Sequence, residues 1–179
     1  PYAPFELDNE IYDSWSAVEK GVGLEREWDD LCQQFLKVDP DKFNLMQRLI
    51  KGEMPDNFDV DFNEFLNNLS SNSDSLATRK SSQMVLEFLQ ANLPELIGGS
   101  ADLSGSNNTN TKNSIDINSN NDGNYIFYGV REFGMNAVMN GIALHGGLIP
   151  YSGTFLVFMD YGGNAVRMAA LMGIRVIFV

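Results

Sequence analysis

Arg131 and Glu132 stand side by side in YGVREFGMNAVMNGIALHGG, residues 128–147, a run otherwise built of small and apolar side chains. A carboxylate in such surroundings is costly unless it is paired, protonated or used in chemistry. Two readings are open. Glu132 opens a helical pattern, where the helix dipole favours an acidic residue, and Arg131 offers it a counter-charge. Against that, Phe133, Met135 and Val138 leave little water around the group, and a dry acid is suited to sharing a proton with a ligand.

Other residues invite the same weighing. Phe155, Phe158 and Tyr161 recur every third position, which keeps them on one side of a helix, either as a core stripe or as the wall of a flat aromatic ligand's site. The segment NSNNDGNYIFYG sets Asn118, Asn120, Asp122 and Gly123 like the start of an EF-hand loop. Its last position is Gly129, not a bidentate glutamate, which excludes calcium there. His145 has no metal-ligand companion and reads as structural. Arg79 reads as a solvated charge beside the cap-like Thr78, and Ser106 as a turn residue.

The elements that must position these groups follow from pattern. Residues up to about 76 are acidic and helical, with Asp39 capping a helix that has Pro40 in its first turn and Gly52 at its end. Phe58, Phe62, Phe65, Leu66 and Leu69 mark a further helix of this arm. From residue 77 the order changes: a helix carrying Met84, Val85, Phe88 and Leu89, then the strand and glycine turn of ELIGGSADL. A polar, asparagine-rich excursion over 104–124 has no apolar period and reads as surface. YIFYGV is a second strand, EFGMNAVMNGIALHG a helix, TFLVFMDYGGNAVRMAALMG another helix, and IRVIFV a buried strand. Alternation of this kind implies an α/β layer on a parallel sheet, whose ligands gather past the carboxyl ends of strands. Asp102 and Glu132 both fall there.

Composition bounds the partners. A net charge of -12 argues against nucleic acid, and no apolar stretch is free enough of charge to span a membrane, since Arg167 and Arg175 interrupt the most apolar one. The single cysteine, Cys32, forms no internal disulfide, which points to a reducing, cytoplasmic compartment. A start at Pro1 and a strand at the terminus suggest an interior piece of a larger protein.

PYAPFEL, KGEMP, ATRKSSQ, LPELIGGSADLSGSN and the long stretch from YGVREFGM to AVRMAAL occur in order, and together they resemble transketolase. The resemblance covers nearly the whole chain and is densest from Gly98 onward; SADLSGSN favours this family over phosphoketolase or deoxyxylulose phosphate synthase. It implies a three-layer parallel-sheet thiamine diphosphate-binding fold of the pyrimidine-domain type, incomplete, over residues 77–179, preceded by a helical interdomain arm over 1–76. It also implies transfer of a two-carbon unit from a ketose phosphate to an aldose phosphate in the pentose phosphate pathway. Glu132 would bond to the aminopyrimidine of thiamine diphosphate as the catalytic acid, with Arg131 as local counter-charge. Phe155, Phe158 and Tyr161 would form the aromatic pocket, Phe158 stacking best, and Asp102 would lie near the thiazolium. Arg79 and Ser106 would hold the sugar phosphate. The divalent metal, magnesium or calcium, and the diphosphate would be bound by a domain absent from this chain, and a homodimer partner would complete the site, so the chain alone would be inactive. A noncatalytic dimerisation or regulatory module with this fold is the alternative. Departures from the family pattern are Gly105, where proline usually precedes the serine, and YGGNA with Gly162 and Gly163 in place of YARNA.

Overall fold

The computed structural model describes residues 3–71, 75–118 and 122–179. The chain divides into two compact units, residues 1–46 and 47–179. The first holds α1 (Asn9–Trp15), α2 (Val18–Val38) and the start of α3 (Pro40–Lys51). Pro40 opens α3 because its missing N–H costs nothing there, and the Asp39 carboxylate caps the turn by accepting the Lys42 amide at 3.0 Å. Phe35 and Phe43 meet edge to face at 6.0 Å within this unit.

The second unit carries the sheet. After α4 (Phe58–Ser70) and α5 (Thr78–Asn92) come β1 (Leu96–Ser100), the short α6 (Ser104–Asn107), β2 (Tyr125–Phe127), α7 (Glu132–His145), β3 (Ile149–Gly153), a 3-10 turn (Leu156–Phe158), α8 (Met159–Met172) and β4 (Ile177–Phe178). All pairings are parallel, in the order β2-β1-β3-β4. Strand periodicity sorts side chains onto two faces. Leu96, Tyr125, Ile149 and Tyr151 pack with Leu86 of α5, and with Phe58 of α4. Ala101, Ile126 and Tyr128 pack with Met135 of α7 on the other. The result is the parallel α/β layer that the sequence leads one to expect.

Three expectations change. β3, a central and fully buried strand, has no counterpart in the sequence reading, which places one helix directly after another; Pro150 and Gly153 weaken the local strand signal. Proline is tolerated because Ile149 donates to the Glu95 carbonyl on the β1 side, so alternation turns Pro150 toward β4, whose pairing begins only at Tyr151. The last strand is half-buried, not buried, because it lies at the sheet edge with β3 as its one neighbour. The asparagine-rich excursion is not all surface: Asn107, Thr109 and Thr111 are buried. Asn120 lies outside the described residues. Among those described, no helix is long and apolar enough to cross a membrane.

At the amino end of the sheet, Arg48 of α3 forms a fork with the buried Glu95 carboxylate, at 2.7 and 3.0 Å, and also reaches the Glu53 carbonyl at 2.9 Å. Removing one partner of such a pair strands a buried charge. Arg48→Leu is therefore expected to lower unfolding free energy by about 3 kcal/mol in denaturant titration; an unchanged midpoint would show that the pair contributes nothing. A second outcome concerns alkaline pH. Burial pushes the Tyr128 hydroxyl up from 10.0 to about 12, and Tyr151 higher still. Both phenols hold their protons more tightly folded than unfolded, so the associated stability is complete below the ordinary tyrosine value and lost as pH climbs through about 12. Urea midpoints should fall between pH ~10 and ~12, with delayed tyrosinate absorbance in the folded protein.

Candidate functional site

The chain leaves β1 toward β2 on one side and leaves β3 toward β4 on the other, so a crevice opens beyond the carboxyl ends of these two central strands. Ligands of open parallel sheets bind at such switch points. Two clefts lie there. One, about 730 Å³, is lined by Arg79 and Ser82 from the start of α5, Ser106 and Asn107 from the β1 side, and Thr154 and Phe155 from the β3 side. The other, about 570 Å³, is lined by Asp102, Val130, Glu132, Phe158 and Tyr161.

Glu132 begins α7 and is only 8% exposed. Among the described residues its side chain has no hydrogen-bond or ion-pair partner. The counter-charge expected of Arg131 is not realised: its guanidinium donates to the Tyr128 carbonyl at 2.8 Å. Neighbouring residues at a helix start point in different directions, which is why adjacency in sequence did not make a pair. Asp102 is exposed and takes φ 61, a left-handed conformation that aspartate tolerates better than most residues.

The aromatic series is not on a single α-helix. Phe155 is extended, Phe158 closes the 3-10 turn, and Tyr161 lies in the first turn of α8. A 3-10 turn repeats every ~3 residues, so the spacing that suggested a helix face survives as a different element. The rings stand nearly parallel, Phe155 to Phe158 at 5.9 Å and 14°, Phe158 to Tyr161 at 6.3 Å and 19°. Phe155 and Tyr161 are exposed and Phe158 is half-buried, so the series lines the two clefts and does not fill the core.

Arg79 and Ser106, distant in sequence, share the larger cleft. A guanidinium and a hydroxyl together suit an anion. Gly105 sits inside α6, where an added Cβ would meet open space, so the departure from proline leaves the turn intact. Sequence reasoning missed Ser82 and Thr154 in this cleft; the position of Thr154 directly after a strand was the available signal.

The geometry is that of a parallel α/β layer with a strand-end crevice holding an acid, an aromatic wall and an anion-suited corner. The family described as "Transketolase, pyrimidine binding domain" matches residues 74–179, and the chain belongs to that family. It is 49% identical over 178 residues to transketolase 1 of Escherichia coli K12, covering 99% of this chain and 27% of that protein. The plasmid-borne transketolase of Cupriavidus necator is 49% identical over 176 residues, covering 98% of this chain and 26% of that protein. Among solved structures, transketolase from Leishmania mexicana superposes with a TM-score of 0.86 at 34% identity, covering 97% of this chain and 25% of the other. The Pichia stipitis transketolase complex with sedoheptulose 7-phosphate gives the same TM-score and identity, with 97% and 26% covered. The chain thus spans about a quarter of the length of the curated relatives it matches.

Gly162, one of the two glycines that depart from the family pattern, has a steric reason. A Cβ there would lie 2.2 Å from the Asn136 side-chain nitrogen. Asn136 is fully buried one turn after Glu132 and accepts the Ser152 hydroxyl at 3.1 Å. Gly162 thus lets α8 close on an amide held in the core. Nothing in the structure explains Gly163. Gly162→Ala is expected to cost about 1–3 kcal/mol through overpacking, and Asn136→Ala in the same chain should recover much of it. Strictly additive losses in the double-mutant cycle would refute this size pairing.

Proposed function

We propose that this chain is the arm, residues 1–76, and the pyrimidine-binding layer, residues 77–179, of a cytoplasmic homodimeric transketolase. The reaction is transfer of a two-carbon ketol unit from a ketose phosphate to an aldose phosphate in the pentose phosphate pathway. One observation carries the reading: Glu132, buried and without a partner among the described residues, lines the same cleft as Phe158 and Tyr161.

That cleft suits an aminopyrimidine. Phe158 offers a ring face for stacking, with Phe155 and Tyr161 extending the wall, and Glu132 would hold the proton shared with a ring nitrogen. With the cleft mouth closed by a partner surface, the acid would exchange that proton without competition from water. Asp102, on the same cleft, would offset the cationic part of thiamine diphosphate, which when bound would supply carbanion chemistry. Arg79 and Ser106 hold the sugar phosphate in the larger cleft. The diphosphate and a divalent metal, magnesium or calcium, are held outside these 179 residues.

The homodimer reading draws on the apolar side chains left exposed on α7 and α8, among them Phe133, Val138, Leu144, Met168 and Leu171. Burying such a surface against a partner's would also dry the mouth of the Glu132 cleft.

In the full-length protein with saturating thiamine diphosphate, Glu132→Ala should reduce turnover by about 100-fold or more, within the range of a lost acid–base group. Near-normal turnover would refute the assignment. Phe158→Ala should weaken cofactor affinity about tenfold while the protein stays folded, as measured by calorimetric titration.

A further inference from the structure

A buried polar network runs beneath the larger cleft, and its hub is Asn107. The Asn107 amide nitrogen donates to the Ser100 hydroxyl at 2.9 Å, and its oxygen accepts the Thr109 hydroxyl at 2.8 Å and the Thr109 amide at 3.3 Å. Ser100 in turn donates to the Gly153 carbonyl at 3.0 Å and accepts the Leu103 amide at 3.1 Å. Thr109 continues to the Tyr125 hydroxyl at 2.9 Å, while its carbonyl accepts the Tyr151 hydroxyl at 3.3 Å. Gln90 of α5 joins Tyr151 at 3.2 Å and accepts from Thr111. Asn107, Ser100 and Thr109 are 6%, 2% and 0% exposed.

This network ties the segment after β1 to the end of β3. The turn of chain from Asp102 to Asn108 begins and ends in left-handed conformations, φ 61 and φ 57; the Ser106 and Asn107 amides close it on the Leu103 carbonyl at 2.8 and 2.9 Å, and it is the Asn107 side chain that ties this single helical turn to Ser100 of β1. Gly153 shows how closely the parts approach: an added Cβ would lie 2.4 Å from Thr109 and 2.8 Å from the Asn107 amide nitrogen. Two residues beyond Gly153 stands Phe155, and directly before Asn107 stands Ser106, both lining the cleft that holds Arg79.

We propose that Asn107 is a positioning residue for binding of the phosphate end of the sugar, setting the Ser106 hydroxyl against the Arg79 guanidinium by locking α6 onto Ser100. The inference rests on the reading of Arg79 and Ser106 given above and goes beyond it. Asn107 borders the same cleft but is 6% exposed, and its side-chain amide bonds to Ser100 and Thr109, which makes it a support for Ser106. Removing the amide lets Ser106 wander relative to Arg79, so recognition of phosphate suffers while the chemistry at the Glu132 cleft does not.

The test uses the full-length enzyme with D-fructose 6-phosphate and, in parallel, unphosphorylated D-fructose as donor. Asn107→Ala is expected to raise KM for the phosphorylated donor about tenfold, the scale of one lost charge-assisted hydrogen bond, with kcat and the unphosphorylated donor little affected. Ser106→Ala should give the same selective rise, and the double variant should be no worse than either single. Should Asn107→Ala fold poorly, Ser100→Ala removes the other end of the bond and should show the same KM signature. If Ser106→Ala is selective and neither Asn107→Ala nor Ser100→Ala is, or if the double variant is additive, the positioning role is overturned. A Ser106→Ala enzyme without any phosphate-selective change would instead overturn the substrate-site reading, and this proposal with it.

Discussion

The parallel pairing of β1 with β3 is the constraint on which the remainder of the second unit depends. Their register, Leu96 with Ile149 through Ser100 with Gly153, brings two strand ends level. Since the chain departs from those ends in opposite directions, neither following segment can cover the other, and a crevice remains. Every candidate residue except Arg79 enters from a segment following one of the strands, and Arg79 enters from the helix packed on one face. A slip of one residue in that register would turn the side chains of the slipped strand to the opposite face and shift the segments that follow β1 and β3 relative to each other.

Two different chemistries occupy the faces beneath the crevice. The α5 face carries tyrosines, threonines and asparagine joined by hydrogen bonds, so its burial is stabilising only because nearly every polar group has a partner. The α7 face is apolar around Met135 but admits the amides of Asn136, opposite Gly162, and Asn140, which donates to the Ala165 carbonyl at 2.9 Å. Glu132 sits at the top of this second face. The helix that begins there lends its dipole to an acidic residue, and Glu132 lies 8% exposed with no ion-pair partner among the described residues.

Much of the candidate site was legible because its signals are local. Glu132 among apolar residues, Asp102 after a glycine turn and aromatics every third residue are features of short windows, and the family motifs added roles to them. Where sequence reasoning failed, a nonlocal effect decided. The sequence reading passed from one helix to the next over β3, whose five residues include Pro150 and Gly153 and become a strand only through pairing with β1 and β4. Arg131 looked like the partner of Glu132 because adjacency in sequence is not adjacency in direction. The asparagine-rich segment looked solvated because polarity alone does not reveal that Asn107, Thr109 and Thr111 find partners in the interior.

The amino-acid sequence by itself determined the alternation of helix and strand, the strand-end location of the acidic residues, and membership of a family whose motifs are long and ordered. Those properties depend on side-chain type and on spacing along one chain. Tertiary structure decided which faces the strands share, that Arg79 and Ser106 meet in one cleft, that Arg131 turns to a carbonyl, and that Asn107 is a buried hub. Each of these depends on pairing between segments distant in sequence, and the energy that selects such pairing comes from burial and hydrogen-bond satisfaction that exist only once the layers have closed.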